Sequence, residues 1–197
     1  MSPGLTLRDH ARGAIRDEVA KHAWTLFAEH GYEATTVDQI AEAAGMSRRT
    51  FFRYFAGKDE LVLERLVESG QTMAETLRSR PADEDAWTAL RAAFQVAVDL
   101  QETHADKARP LQVMLREEPA LRATAETRRR LWIERLSPLT ALRLPAATGS
   151  GPDLRAAAVT GSALACLDAA QATWAANPGA RLSDLLDDAM SAVAPLT

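Results

Sequence analysis

Residues Thr35 to Lys58 read TTVDQIAEAAGMSRRTFFRYFAGK, and this stretch decides the fold. Thr36 opens a short helix that reaches Ala44, and Ser47 is the N-cap of a second that reaches Phe55. Between them stands Gly45, at a turn whose backbone must adopt a conformation costly for any side chain. Two short helices crossing at a glycine turn need a small residue where they approach, and Ala41 supplies it. Ile40, Ala44, Met46, Phe51 and Phe55 then fall on the facing sides as a small shared core.

If Phe51 and Phe55 point inward, the three-to-four spacing sends Arg48, Arg49, Phe52 and Arg53 outward. Arginine can bond a guanine edge bidentately, and an apolar ring can pack on a thymine methyl. Such a helix suits the major groove of double-stranded DNA. Ser47 and Lys58, with the helix start at Thr35 and Thr36, are placed for phosphates. Most runs of arginine are only a solvated face, but these lie opposite a helix-turn-helix core, and that favours DNA.

Moving outward, Ile15, Val19, Ala23, Leu26 and Phe27 form an apolar helical stripe ended by His30 and Gly31. The net charge of the 197-residue chain is −4, so it is no polybasic coat for nucleic acid. Residues 1–58 nevertheless carry eight Lys or Arg against seven Asp or Glu, while the remainder carries fifteen against twenty. Any contact with a polyanion therefore belongs to the first third.

Helical spacing continues through Lys58–Arg78, Ala86–Glu102, Asp106–Glu117, Pro119–Arg143, Asp153–Ala176 and Ser183–Ala194. No stretch alternates with period two, so the chain reads as all-α with about nine helices. The expected organisation is a three-helix DNA-binding head over residues 1–57 and an effector-binding and dimerisation domain over 58–197. The stretch Pro145 to Pro152 reads as the most flexible loop. Ala157, Gly161, Ala165 and Ala169 recur every four residues, a small-residue stripe that permits close helix approach; Leu182, Leu185, Leu186, Ala189 and Val193 make the next helix amphipathic. Two such helices per subunit could build a four-helix bundle in a homodimer.

Enzyme signatures are missing from the sequence: there is no nucleophile elbow, HExxH, phosphate loop or glycine fingerprint after a strand. No cofactor is expected. His10, His22, His30 and His104 make no metal set, and the lone Cys166 reads as a small buried hydrophobe. Ala156–Ala176 is long but too rich in small and polar residues to insert in a bilayer, so a cytoplasmic protein is expected.

The segment from Ile15 to Leu61, with LFAEHGY, TTVDQIAEAAGMSRRTFFRYF and GKDEL, resembles the DNA-binding domain of the TetR family of bacterial transcriptional regulators. The resemblance implies an all-helical homodimer in which Thr36, Arg48, Arg49, Thr50, Phe52, Arg53 and Lys58 hold positions that commonly contact DNA. Phe52 stands where the family often has a tyrosine, so a phosphate contact through that hydroxyl is lost. Arg8 and Arg12 are expected ahead of the first helix: the resemblance implies an arm on the backbone or minor groove, and the residues alone read equally as a solvated terminus. The stretches RPLQVMLREEPALRA (Arg109–Ala123) and WAANPGARLSDLLDDAMSAV (Trp174–Val193) resemble the branch with an acyl-CoA-binding C-terminal domain. That resemblance implies a pocket for an apolar, acyl-CoA-like effector among Phe94, Arg109, Met114, Trp132 and Trp174, with Arg109 or Arg116 near a phosphate or carboxylate; taken alone, either arginine reads as a surface ion pair, for instance with Glu117 or Glu118. The functional expectation is a repressor on an inverted-repeat operator, released by a small apolar effector. The alternatives are an architectural DNA-binding protein without sequence preference and a helical enzyme.

Overall fold

The computed structural model describes residues 6–145 and 153–196, so most of the Pro145–Pro152 loop lies outside the described residues. Nine α-helices and one 3-10 turn are found among the described residues: α1 (Leu7–His30), α2 (Val37–Ala43), α3 (Arg48–Tyr54), α4 (Lys58–Ser79), α5 (Ala86–Thr103), α6 (Ala105–Glu117), the 3-10 turn (Pro119–Leu121), α7 (Arg122–Ala141), α8 (Leu154–Ala176) and α9 (Leu182–Ser191). The chain divides into two compact units, Met1–Val62 and Leu63–Thr197.

Two expectations about helix limits are corrected. Arg8 and Arg12 do not form an arm before the first helix: α1 starts at Leu7 and includes both. Nothing in LRDHA opposes a helix, and the His10 N–H already donates to the Thr6 carbonyl at 3.1 Å. The long helix expected from Pro119 is interrupted, because Pro119–Leu121 winds as a tighter turn before α7. Proline at the first position lacks an N–H that would be unpaired anyway.

In the first unit, Val19, Ala23 and Phe27 of α1 are buried together with Tyr32, Ile40, Phe51, Phe55 and Leu61. Gly31 ends α1 at φ +83° and Gly45 turns the chain between α2 and α3 at φ +65°, a region that any Cβ would strain.

The second unit is built on long stripes of buried side chains. On α7 these recur every fourth residue: Thr124, Arg128, Trp132, Leu136 and Thr140. Of these, Trp132 and Leu136 share a core with Trp87, Leu90, Phe94 and Val98 of α5, Leu164, Leu167 and Trp174 of α8, and Leu182, Leu186 and Met190 of α9. Several buried polar groups are paired at the contacts. The Trp87 indole N–H donates to the Met190 and Ala194 carbonyls, and the Thr140 and Thr160 hydroxyls lie 3.0 Å apart. The Cys166 thiol donates to the Ala189 carbonyl at 3.4 Å, and burial pushes its pKa up, which suppresses the reactive thiolate.

Gly70 of α4 is where the Trp132 indole comes to rest. A Cβ on Gly70 would lie 2.4 Å from the ring, and the indole N–H is tied to the Leu66 carbonyl at 2.9 Å. The ring has nowhere to retreat without losing that bond. Gly70→Ala should therefore lower stability by about 1–3 kcal/mol in denaturant unfolding, although alanine favours helix. An unchanged midpoint would contradict this packing.

Candidate nucleic-acid interface

The interface is built from two short helices that are capped before they are packed. Thr36 caps α2 through a reciprocal pair: the Gln39 N–H donates to its hydroxyl at 3.2 Å, and the Thr36 N–H donates to the Gln39 side-chain oxygen at 2.8 Å. Ser47 caps α3 by accepting from the Thr50 N–H at 3.1 Å. Between them the Met46 N–H reaches back to the Ala41 carbonyl at 2.9 Å, which sets the turn around Gly45.

Packing then divides α3 into two faces. Phe51 is 0% and Phe55 2% exposed, with their rings 5.2 Å apart, whereas Phe52 is 46% exposed. Ile40 and Ala41 of α2 complete the core, while Ala44 and Met46 are only half-buried at its edge. Arg49, Thr50, Phe52 and Arg53 line a half-open depression on the outer face. It presents guanidiniums, a hydroxyl and an apolar ring on one surface, the donors and apolar contact that base edges require.

Two basic residues expected beside them are engaged within the unit. Arg48 pairs with Asp38 of α2 at 2.7 Å. The Lys58 ammonium donates to the carbonyls of Tyr32 at 2.6 Å and Thr35 at 3.1 Å, and lies 4.1 Å from the Tyr32 ring centroid. Lys58 thus ties the start of α4 to the segment between α1 and α2.

Sequence reasoning missed Arg16 and Glu60. The Arg16 guanidinium donates to the Tyr54 carbonyl at the end of α3, stacks 4.5 Å from the Phe55 ring centroid, and pairs with Glu60 at 2.8 Å. The second Glu60 oxygen accepts the Ala56 N–H. One arginine and one carboxylate therefore fasten the C-terminal end of α3 to α1 and α4. The only signals were single charges at the edge of an apolar stripe, too common to single out.

The five expected effector residues are divided in place. Phe94, Trp132 and Trp174 are buried in the core of the second unit, and Met114 is half-buried on α6. Arg109 closes the end of α8: its guanidinium donates to the carbonyls of Trp174, Asn177 (2.9 Å), Pro178 (3.1 Å) and Ala180 (3.3 Å), and it stacks on the Trp174 ring. Arg116 donates to the Ala172 carbonyl at 3.3 Å. A separate buried charge was not foreseen. Arg128 donates to Asp168 at 2.8 Å and Arg129 to the other oxygen of the same carboxylate at 2.9 Å. Burial lowers the Arg128 pKa, Asp168 works against that fall, and its Nε has no partner among the described residues.

Comparison with known proteins completes this picture. Residues 20–64 match the family described as bacterial regulatory proteins, tetR family, and residues 84–196, more than half of the chain, match the MftR C-terminal domain. The chain belongs to the TetR family. The regulator TcmR of Streptomyces glaucescens is 41% identical over 96 residues, covering 49% of this chain and 42% of that protein, so the chain matches less than half of that relative's length. A relative in Mycobacterium tuberculosis, named as the mycofactocin biosynthesis transcriptional regulator MftR, is 28% identical over 92% of this chain and 90% of its own. FadR of Thermus thermophilus, a TetR-family repressor solved in complex with lauroyl-CoA, shares the fold with a TM-score of 0.63 at 24% identity, covering 92% of this chain and 94% of that one. Among the described residues, no helix is long and apolar enough to cross a membrane.

The Glu60 pair yields a pH prediction. Burial acts to raise the Glu60 pKa, but the Ala56 N–H and the Arg16 guanidinium outweigh it and hold the group below its ordinary 4.5. A carboxylate depressed by folding stabilises the native state above its unfolded pKa, and that stability is lost as pH falls through the folded value. Wild-type protein should therefore lose more stability than Glu60→Gln between about pH 5 and pH 3, where free glutamate titrates. Equal acid slopes in urea titrations would remove Glu60 from this role.

Proposed function

We propose that this protein is a dimeric, ligand-responsive transcriptional repressor that reads an inverted-repeat operator with α3. The observation that carries the reading is the division of α3: Phe51 and Phe55 fully buried, with Arg49, Thr50, Phe52 and Arg53 outward on one depression. A solvated arginine face would need neither the two helix caps nor an exposed phenylalanine among the guanidiniums. In this reading Arg49 and Arg53 meet base edges, and Thr36, Ser47 and Thr50 meet phosphates. Phe52 meets a thymine methyl. Arg48 and Lys58 meet DNA only by leaving the partners they now hold.

The DNA-binding domain is assigned to residues 1–57 and the effector and dimerisation domain to 58–197. One short helix reads few base pairs, so two half-sites are needed for specificity. The α8 stripe supports pairing of two copies, since Ala165 and Ala169 are exposed and Ala157 and Gly161 only half-buried. The effector is an acyl-CoA-like molecule with a long apolar body. The lauroyl-CoA held by the Thermus FadR supports that choice, as does the apolar core of the second unit, which includes Phe94, Trp132 and Trp174. Its binding weakens operator affinity by changing the spacing of the two heads. The protein works in the cytoplasm. An architectural role is disfavoured by the net charge of −4, because such proteins depend on excess positive charge.

Arg49→Ala tests the reading. Anisotropy titration on a duplex that the wild-type protein selects from a random pool should show affinity reduced by about thirtyfold or more, for loss of one base contact of about 1–3 kcal/mol in each of two half-sites. Helicity and oligomeric state should be unchanged. Unaltered affinity and base preference would make Arg49 a solvated side chain.

A further inference from the structure

Arg128 carries a charge that the packing of the second unit does not require. Its side chain is 9% exposed and its guanidinium lies 4.9 Å from the Trp132 ring centroid. Nη2 donates to Asp168 at 2.8 Å, while Nε is buried with no partner among the described residues. The other Asp168 oxygen accepts from Arg129, which also donates to the Gly161 carbonyl at 2.9 Å. Arg129 alone therefore neutralises Asp168, and Arg128 is a positive charge in excess. The excess continues along α7. Arg135, two turns on and on the same side of the helix, forms no ion pair with any described residue and buries an unpartnered Nη1. A buried cation without an anion of its own costs stability, and a buried donor without an acceptor adds to that cost.

We propose that Arg128 is the anion-binding residue for the effector, which carries a carboxylate or phosphate at the head of an apolar body. The proposal rests on the reading of the second unit as an effector-binding domain. The two arginines that the resemblance puts near such a group, Arg109 and Arg116, hold main-chain carbonyls instead. Arg128 offers what they do not: a spare N–H and an uncompensated charge. The cluster also has the two sides that an amphiphile needs. Asp168 and Arg129 are 37% and 32% exposed, which leaves a way in from solvent, while Trp132 belongs to the apolar core. An arriving anion accepts from Arg128, and Asp168 stays with Arg129. One excess charge is thereby replaced by two neutral pairs, a gain that a neutral molecule of the same length does not make.

The test is the affinity of the full chain for dodecanoate, lauroyl-CoA and the neutral dodecan-1-ol, measured by calorimetry. Arg128→Gln should weaken binding of an anionic probe about tenfold or more and change that of the alcohol less than about twofold. Arg128→Lys, which keeps the charge, should recover part of the loss. Asp168→Asn removes the competing carboxylate and should tighten the same probe about two- to fivefold. A loss confined to dodecanoate would make the bound group a carboxylate at the chain end; a loss confined to lauroyl-CoA would make it a phosphate of the larger head. Equal losses for all three probes would make Arg128 a packing residue and overturn the proposal, as would anion affinities that Arg128→Gln leaves unchanged; in both cases the effector reading stands. Wild-type protein that binds none of the three would remove the effector reading and this proposal with it. Unfolding midpoints without ligand check that each variant is folded, and Asp168→Asn keeps the test open should Arg128→Gln fail to fold.

Discussion

A helix of seven residues has no stability of its own in water, because the cost of its first turn is never recovered by so few later hydrogen bonds. The orientation of α3 is therefore set by burial of Phe51 and Phe55 against α1 and α2, and the exposed face is whatever that burial leaves outside. Each fully buried phenylalanine contributes about 1.5–3 kcal/mol, more than the caps at Thr36 or Ser47. The caps settle where the helices begin. Arg16 and Glu60 then fasten the far end, where Phe55 leaves the helix in an extended conformation. A substitution in this core would move every outward side chain at once, which a change at Arg49 would not do.

The two units differ in how their polar groups are used. In the first, the side chains aimed outward are arginines around an exposed ring, and the fastening charges are few and shared: Arg16 alone meets a helix end, a ring and a carboxylate. In the second, arginines are spent inside. Arg109 gathers the carbonyls beyond the last turn of α8, and Arg143 gathers those of Leu77 and Arg80. Arg128 and Arg129 share Asp168, leaving one positive charge in excess beside a buried Trp132. A buried charge of this kind costs stability by desolvation.

The first unit was legible because its signals are local. Gly45 has one conformational reason to be glycine, Ser47 and Thr36 are caps by residue type, and the spacing of Phe51 and Phe55 fixes which side of α3 is outward. What escaped were pairings between distant residues: Arg16 with Glu60, Arg48 with Asp38, and Lys58 with the Tyr32 and Thr35 carbonyls. Periodicity places each residue on a face but does not say which neighbour it meets. The same limit applied to Arg109: resemblance placed it near an effector, and periodicity did not show that its carbonyl partners lie more than sixty residues away along the chain. The start of α1 escaped for a different reason: the charged segment at Leu7–Ala14 lacks the apolar stripe by which helices are recognised, yet contains nothing that stops one from continuing.

The central claim is that α3 reads DNA sequence as one half of a two-fold pair. The most direct measurement is recovery of bound fragments from a random DNA pool by the purified protein, followed by sequencing. The account predicts enrichment of a single inverted repeat, its half-sites one helical turn or a multiple apart. Binding without enrichment of any sequence at moderate salt would contradict it.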